Sequence, residues 1–255
     1  MDTVAETNRP SCETLNVQVF ADGADLSGIA EMARNPRIKG FTTNPTLMRK
    51  AGVQDYRAFA REVLAIVPDR PVSFEVFSDD FEEMERQALE IASWGANVNV
   101  KIPVTNTRGA SAAPLLSRLS RAGVTLNVTA LMTNGQVAEV IDALEGSAPA
   151  FVSVFAGRVA DTGRDPMPIM TKAVAQCQAR PETRLIWASP RELLNIFQAD
   201  QIGCHVITVT NDVLKKLDGV GKDLTQFSLE TVEMFRRDAV AAGFTIDVHP
   251  REMAR

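Results

Sequence analysis

The sequence predicts a single (β/α)₈ barrel with an extra helix at its carboxyl end. Eight short β-rich runs follow one another along the chain, and a helical pattern follows each of them. Strands that alternate with helices pair in parallel, and eight such units in about 250 residues fit this barrel. The runs are VQVFA, GFTT, VSFEVF, VNVKIPV, VTLNVT, FVSVF, RLIWAS and HVITVT.

The segments between the runs have the pattern of amphipathic helices. In DDFEEMERQALEIASWG, apolar residues recur near helical spacing, acidic residues occupy the first turn, and Gly95 closes the segment. A doubly wound open sheet is the alternative fold, but it normally has fewer strands. It also carries a glycine-rich dinucleotide loop after its first strand, which this sequence lacks.

We expect the barrel to span residues 15–217. Residues 1–14 are polar, without the basic-then-apolar pattern of a secretory signal, and are predicted to be a flexible lead-in. Residues 218–255 are predicted to contain the added helix and a tail, and we expect a homo-oligomer. The apolar residues of this helix could pack on its own barrel or on another subunit: Leu229, Val232, Met234 and Phe235.

Composition limits the classes of function. The net charge of −5 argues against an extended nucleic-acid surface, and no apolar run approaches the roughly 18 residues of a membrane span. Cys12, Cys177 and Cys204 are odd in number and far apart, as expected of reduced thiols in a cytoplasmic protein. The two histidines, His205 and His249, have no carboxylates at metal-site spacing, so we expect no catalytic metal.

Polar side chains recur on one face of several predicted strands, close to their carboxyl ends. Side chains alternate across a strand, and barrel strands buried on both faces are normally apolar throughout. Barrel enzymes build their active sites at the carboxyl ends of the strands. An interior hydrogen bond explains any one residue equally well, but recurrence on six strands favours a functional pocket. We expect the pocket to contain Asp22, Asn44, Glu75, Lys101, Asn127, Thr129 and Ser153.

Lys101 suggests the chemistry of this pocket. Burying an unpaired ammonium is unfavourable, and a lysine whose charged form is disfavoured becomes a nucleophile toward carbonyl carbon. Asp22 and Glu75 can transfer the protons that making and breaking a Schiff base requires. An interior ion pair of Lys101 with one of these acids is the structural alternative. Nearby groups can hold a water, bind substrate hydroxyls or orient the lysine: Asn44, Asn127 and Thr129.

The motifs that carry these residues resemble those of the transaldolase family of Schiff-base aldolases. GFTTNPTLM is similar to the family's Thr-Thr-Asn-Pro-Ser-Leu signature, and VFADGAD to the strand with its catalytic aspartate. VKIPVT is similar to the strand with its Schiff-base lysine, and TLNVTAL to its Asn-x-Thr site. SVFAGRVAD resembles its Ser-x-Phe-x-Gly-Arg segment and WASPREL its Ala-Ser-x-Arg segment. The similarity runs in the family's order from about Val17 to Leu217.

The resemblance implies transfer of a dihydroxyacetone unit between sugar phosphates, with no cofactor or metal. Lys101 would attack the ketone of the donor, and Asp22 would take the donor hydroxyl proton. Glu75 and Thr129 would position the water used in imine chemistry. Family donors are sedoheptulose 7-phosphate and fructose 6-phosphate, and the acceptors are erythrose 4-phosphate and glyceraldehyde 3-phosphate, as in the pentose phosphate pathway.

The resemblance also implies a substrate-binding group after the sixth and seventh strands. Arginine side chains suit phosphate oxygens, and two of them can hold the dianion at the pocket rim. Either arginine could instead pair with an acid such as Asp161 or Glu192. The substrate-binding residues of these segments are Ser153, Phe155, Arg158, Ser189 and Arg191, of which Arg158, Ser189 and Arg191 would bind the phosphate.

Two other functions stay open. Fructose-6-phosphate aldolases, a related branch, release dihydroxyacetone and carry Gln in place of Glu75 and Tyr in place of Phe155, so both positions here favour transfer. A non-catalytic sugar-phosphate binder is the third hypothesis, but binding alone does not require an activated amine. The sequence departs from the family pattern at Gly23, Ala24, Val154 and Pro190. These departures leave open which acceptor is used and whether the enzyme serves a specialised sugar pathway or the pentose phosphate pathway.

Overall fold

The computed structural model describes residues 11–146 and 148–246. Its strands close into a barrel in which all neighbours are parallel and the order follows the sequence, which confirms the predicted (β/α)₈ fold. The strands are β1 (Gln18–Asp22), β2 (Ile38–Thr42), β3 (Val72–Glu75), β4 (Val98–Pro103), β5 (Leu126–Leu131), β6 (Ala150–Val154), β7 (Thr183–Trp187) and β8 (Val206–Thr210).

At least one helix follows each strand. Several begin at an aspartate whose carboxylate accepts a backbone N–H of the first turn, as at Asp25, Asp55 and Asp80. In the part of the chain that the structure describes, no helix is both long and apolar enough to cross a membrane. The helices that follow the strands are α1 (Leu26–Ala33), α2 (Pro45–Lys50), α3 (Tyr56–Ile66), α4 (Phe81–Ala92), α5 (Ala113–Arg121), α6 (Asn134–Ala143), α7 (Ala156–Ala160), α8 (Met167–Cys177), α9 (Leu194–Gln201) and α10 (Asn211–Leu214).

An apolar cluster fills the barrel interior below the site. Phe20 and Phe151 pack edge to face with ring centroids 5.8 Å apart. Gly40 is the neighbour of Phe20 on β2, and a Cβ there would overlap the phenyl ring, so glycine leaves room for it. Two residues further along β1, β6 and β8, on the same face, the side chains are polar. The buried cluster consists of Phe20, Phe151, Ile186, Ala188 and Val206.

The residues after Leu217 belong to a second compact unit, and we describe them by themselves. They contain the added helix, α11 (Leu224–Ala241), whose N-cap Asp223 accepts the backbone N–H of Gln226. None of the residues of α11 is buried, and the four expected to make apolar contacts are exposed: Leu229, Val232, Met234 and Phe235. Their packing partner therefore stays a prediction. Residues 1–10 and 247–255, in the predicted lead-in and tail, lie outside the described residues.

Candidate active site

A cavity of about 560 Å³ opens at the carboxyl ends of the barrel strands. Each of the eight strands, or the loop directly after it, contributes to its lining. This is the end of the barrel where the sequence predicted a pocket. The lining includes all predicted site residues except Asn127: Asp22, Asn44, Glu75, Lys101, Thr129, Ser153, Phe155, Arg158, Ser189 and Arg191.

Lys101 is 6% exposed and reaches into this cavity from β4. The register of β3 and β4 pairs it with Glu75, so the two side chains lie next to each other. Its Nζ lies 3.0 Å from Glu75 Oε2 and donates a hydrogen bond of 2.9 Å to the carbonyl oxygen of Thr43. The interior ion pair is therefore present. It explains how the strand tolerates a buried amine, because the carboxylate and the carbonyl compensate the charge.

Asp22 is the last residue of β1 and lies beside Thr42, its neighbour on β2. The Thr42 hydroxyl donates a hydrogen bond of 2.8 Å to Asp22 Oδ1 and also contacts the Thr208 hydroxyl. Burial raises the pKa of the Asp22 carboxyl above its ordinary value, while the Lys101 charge and the Thr42 hydrogen bond oppose this change. A carboxyl group in such surroundings can accept and return a proton.

Thr129 presents an unsatisfied hydroxyl to the cavity. Its Oγ1 is buried and has no hydrogen-bond partner among the residues that the structure describes. The next residue, Ala130, has φ of 66°, and the pairing of β5 with β6 is irregular between Val128 and Leu131. Such irregularities redirect side chains at the ends of barrel strands, and buried hydroxyls are normally paired. A water or a substrate hydroxyl would satisfy this group.

Asn127, which we expected to face the substrate or to orient the lysine, does not line the cavity. Its side chain is fully buried. Nδ2 donates a hydrogen bond of 3.0 Å to Ser73 Oγ, and Oδ1 accepts one of 2.7 Å from Ser153 Oγ. It therefore ties β5 to β3 and β6 beneath the cavity. Asn44 lines the cavity while its Oδ1 caps α2 by accepting the backbone N–H of Leu47.

The residues predicted to bind the substrate phosphate lie on one side of the cavity rim. Arg191 Nε and Nη2 donate to the two carboxylate oxygens of Asp161 at 2.8 and 2.5 Å, so the acid pairing that we weighed is present. Arg191 Nη1 also donates 2.9 Å to Ser189 Oγ. Arg158 lies over the ring of Phe155, 5.7 Å from its centroid, and forms no ion pair with an acid of the described residues. Both guanidinium groups stay at the cavity.

Several site residues were not predicted. Thr42 and Thr208 lie on the same strand faces as the predicted residues, so the two-residue alternation could have identified them. Ser73 lies two residues before Glu75 and shares its strand face, so the same alternation could have identified it. The carbonyl of Thr43 carries no sequence signal. Lys50 lines the rim from the end of α2.

The described residues offer no group of His, Cys, Asp and Glu that could hold a metal ion. All three cysteines are unpaired thiols, and Cys177 and Cys204 are buried. Burial raises the pKa of each of these two thiols to about 12.

Comparison with known proteins assigns the family. Residues 19–248 match the family described as Transaldolase/Fructose-6-phosphate aldolase. The chain belongs to this family. A relative named "Probable transaldolase" from Dehalococcoides mccartyi is 37% identical over 202 residues, which is 79% of this chain and 90% of the relative. Another of the same name, from Thermoanaerobacter sp., is 34% identical over 231 residues, or 90% of this chain and 100% of that protein.

A solved structure of another protein shows the same architecture. Dihydrodipicolinate synthase from Rhodopseudomonas palustris has a TM-score of 0.54 over 91% of this chain and 82% of that chain. Only 14% of the residues are identical, so this likeness concerns the fold alone. Family membership thus comes from the sequence comparisons, and the barrel from the structure.

Proposed function

We propose that this protein is a transaldolase that moves a dihydroxyacetone unit from a ketose phosphate to an aldose phosphate. The observation that carries the proposal is the buried Lys101 amine, which lies 3.0 Å from the Glu75 carboxylate in the cavity that also contains Asp22. Family membership and the relatives named "Probable transaldolase" support the same reaction class.

Schiff-base formation uses Lys101, Glu75 and Thr129. Glu75 takes a proton from the ammonium, and the free electron pair on Nζ attacks the ketone carbon at C2 of the donor to form a carbinolamine. Proton transfer to the C2 hydroxyl releases it as water, and a protonated imine remains. The unpaired Thr129 hydroxyl is suited to holding this water, and the same contacts serve the reverse hydrolysis.

Cleavage uses Asp22. Its carboxylate removes the proton of the C4 hydroxyl, a carbonyl forms at C4, and the electrons of the C3–C4 bond move to the imine nitrogen. The aldose phosphate then leaves, and a three-carbon enamine stays on Lys101. An acceptor aldehyde takes up the enamine in the reverse sequence, in which Asp22 returns its proton. The raised pKa of Asp22 suits a group that must both accept and return this proton.

Phosphate recognition uses the rim formed by Arg158, Ser189 and Arg191. The two guanidinium groups and the hydroxyl lie at the same cavity as Lys101, so one substrate can contact both ends. Sedoheptulose 7-phosphate and fructose 6-phosphate are the proposed donors, with erythrose 4-phosphate or glyceraldehyde 3-phosphate as acceptor. The bond between Arg191 and Asp161 holds one guanidinium in place before substrate arrives.

Free cleavage of fructose 6-phosphate is the second candidate, because the family includes fructose-6-phosphate aldolases. Glu75 and Phe155 both line the cavity, and at these positions the aldolase branch carries Gln and Tyr. A carboxylate beside the lysine and a ring without a hydroxyl therefore favour transfer over release.

Borohydride trapping tests the Schiff base directly. Wild-type protein incubated with fructose 6-phosphate and borohydride should gain one donor-derived adduct on Lys101, located by mass spectrometry of peptides. The Lys101→Met variant should gain none, whereas Lys39→Met, which removes an exposed lysine outside the cavity, should be trapped like wild type. An adduct on another residue, or binding of the sugar phosphate without trapping, would contradict the proposal.

A product assay separates transfer from release. With fructose 6-phosphate and erythrose 4-phosphate, a transaldolase forms sedoheptulose 7-phosphate and little free dihydroxyacetone. Accumulation of dihydroxyacetone at the same rate with and without acceptor would favour the aldolase instead.

A further inference from the structure

Tyr56, the only tyrosine in the sequence, is bonded to the backbone of the proposed proton-transfer residue. Its hydroxyl accepts a hydrogen bond of 2.8 Å from the Glu75 N–H and donates one of 3.1 Å to the Glu75 carbonyl oxygen. One side chain thus satisfies both backbone groups of a single residue. Tyr56 does not line the cavity, so it acts on the site only through Glu75.

The backbone groups of Glu75 need this partner because β2 ends too early to supply one. In a parallel sheet, alternate residues direct N–H and C=O toward the same neighbouring strand. Ser73 is paired with β2, since its carbonyl accepts the backbone N–H of Thr43, whereas the N–H of Val76 bonds to β4. Glu75 therefore faces β2, but the pairing of β2 with β3 stops at Thr42 and Ser73. The Tyr56 hydroxyl replaces the missing strand residue.

The ring of Tyr56 is held firmly enough to serve as this replacement. It packs against Phe77, Trp94 and Phe74, with centroid distances of 4.6, 5.3 and 6.1 Å. The residue also opens α3, whose N-cap Asp55 accepts the backbone N–H of Ala58. Packing and helix capping together fix the position of the hydroxyl.

We propose that Tyr56 is a positioning residue that sets the separation between Glu75 and Lys101. This inference rests on the proposed function, in which proton transfer between these two groups produces the nucleophile. Without the hydroxyl, the last residue of β3 loses two hydrogen bonds on one side while its pairing with β4 remains. Glu75 can then shift relative to the Lys101 amine, and the proton transfer becomes less efficient.

The test is Tyr56→Phe, which keeps the ring and deletes the hydroxyl. A misplacement of about 1 Å can lower a rate about 10²-fold, and we expect a smaller shift here, with kcat about 10-fold lower and KM nearly unchanged. The pH dependence of kcat should change as well. In a Glu75→Gln background, Tyr56→Phe should alter kcat less than about 2-fold, because the proton-transfer group that it positions is already absent.

Ser120→Ala is the matched control. The Ser120 hydroxyl is buried and, like the Tyr56 hydroxyl, accepts a backbone N–H, that of Gly146 at 2.8 Å, but Ser120 does not line the cavity. Urea unfolding should show a similar loss of stability for both variants, while only Tyr56→Phe lowers kcat. If Tyr56→Phe does not fold, Asp55→Ala, which removes the cap beside Tyr56, should give the same effect in weaker form.

The outcomes separate this inference from the proposed function. Suppose that wild type is trapped on Lys101. If Tyr56→Phe then retains the wild-type kcat, or lowers kcat by the same factor in the Glu75→Gln background as in wild type, the positioning role is wrong and the transaldolase proposal stands. If wild type is not trapped, both are wrong.

Discussion

Gly157 packs so closely against Ser189 that an alanine there should weaken the binding of phosphorylated substrates. A Cβ on Gly157 would overlap the Ser189 carbonyl oxygen and lie 3.3 Å from the central guanidinium carbon of Arg191. Ser189 itself has φ of 60°, a left-handed conformation that a serine rarely adopts. The perturbed atoms therefore belong to the backbone of Ser189, which is hydrogen-bonded to Arg191 in the proposed phosphate-binding site.

The structure sets the size of the effect. To reach an ordinary contact of about 3.5 Å, the Ser189 carbonyl would have to move by roughly 2 Å. This displacement removes the hydrogen bonds that Arg191 donates to Ser189. A hydrogen bond to a charged group contributes about 1.5–3 kcal/mol, which corresponds to about 10- to 100-fold in binding. Overpacking should also lower the free energy of unfolding by about 1–3 kcal/mol.

Steady-state kinetics with two donors provides the assay. KM for fructose 6-phosphate should rise about 10- to 100-fold in Gly157→Ala, while kcat/KM for fructose, which lacks the phosphate, should change little. Gly135→Ala is the matched control, because Gly135 is also in the first turn of a helix and its nearest contact to an added Cβ is 3.9 Å. The reasoning would be refuted if Gly157→Ala lowered kcat/KM equally for both donors. It would also be refuted if its KM for fructose 6-phosphate equalled that of Gly135→Ala.

Three further predictions concern the carboxyl groups of the cavity. Thr42→Val removes a hydrogen bond that lowers the pKa of Asp22, so this pKa should rise and the acid limb of the pH profile of kcat/KM should move to higher pH. Because burial holds the pKa of folded Asp22 above its ordinary value, wild type loses stability as pH rises through that pKa. Urea unfolding should therefore show a larger stability gain for Asp22→Asn at about pH 8 than at about pH 4, close to the ordinary pKa of an aspartate. Combining Glu75→Gln with Phe155→Tyr should raise the yield of free dihydroxyacetone relative to sedoheptulose 7-phosphate in the two-substrate assay.

The fold was predictable because buried parallel strands leave a strong sequence signal. VNVKIPV and FVSVF are nearly continuous apolar runs, and the observed strands Val98–Pro103 and Ala150–Val154 overlap them. The bounds of β2 were predicted less well: GFTT covers residues 40–43, whereas the strand covers Ile38–Thr42. The strand ends before Asn44 because Asn44 caps α2 and a proline occupies the first position of that helix. These capping signals are short, so the run of β-rich residues does not reveal them.

The sequence predicted the convergence of polar side chains at one end of the barrel, whereas it left their pairing with one another as alternatives. Alternation gives the face on which a side chain lies, so Lys101, Asn127 and Thr129 were all expected in one pocket. It does not give depth: Asn127 is the β5 neighbour of Lys101, yet its short side chain stays buried while the lysine reaches the cavity. The bond between Arg191 and Asp161 joins segments 30 residues apart, and neither motif encodes the relative placement of their loops.

In the proposed mechanism, the ion pair of Lys101 and Glu75 reconciles the burial of a charge with the need for a neutral nucleophile. Proton transfer across their 3.0 Å separation converts an ammonium and a carboxylate into an amine and a carboxylic acid, so the net charge of the site does not change. The Thr43 carbonyl can accept a hydrogen bond from either form of the amine, and it keeps Nζ in place as the proton leaves. In the proposed mechanism, the contacts that stabilise the buried lysine at rest therefore also supply its base. A glutamine in place of Glu75 would keep a polar contact but could not take the proton, so proton removal would have to use another group or water.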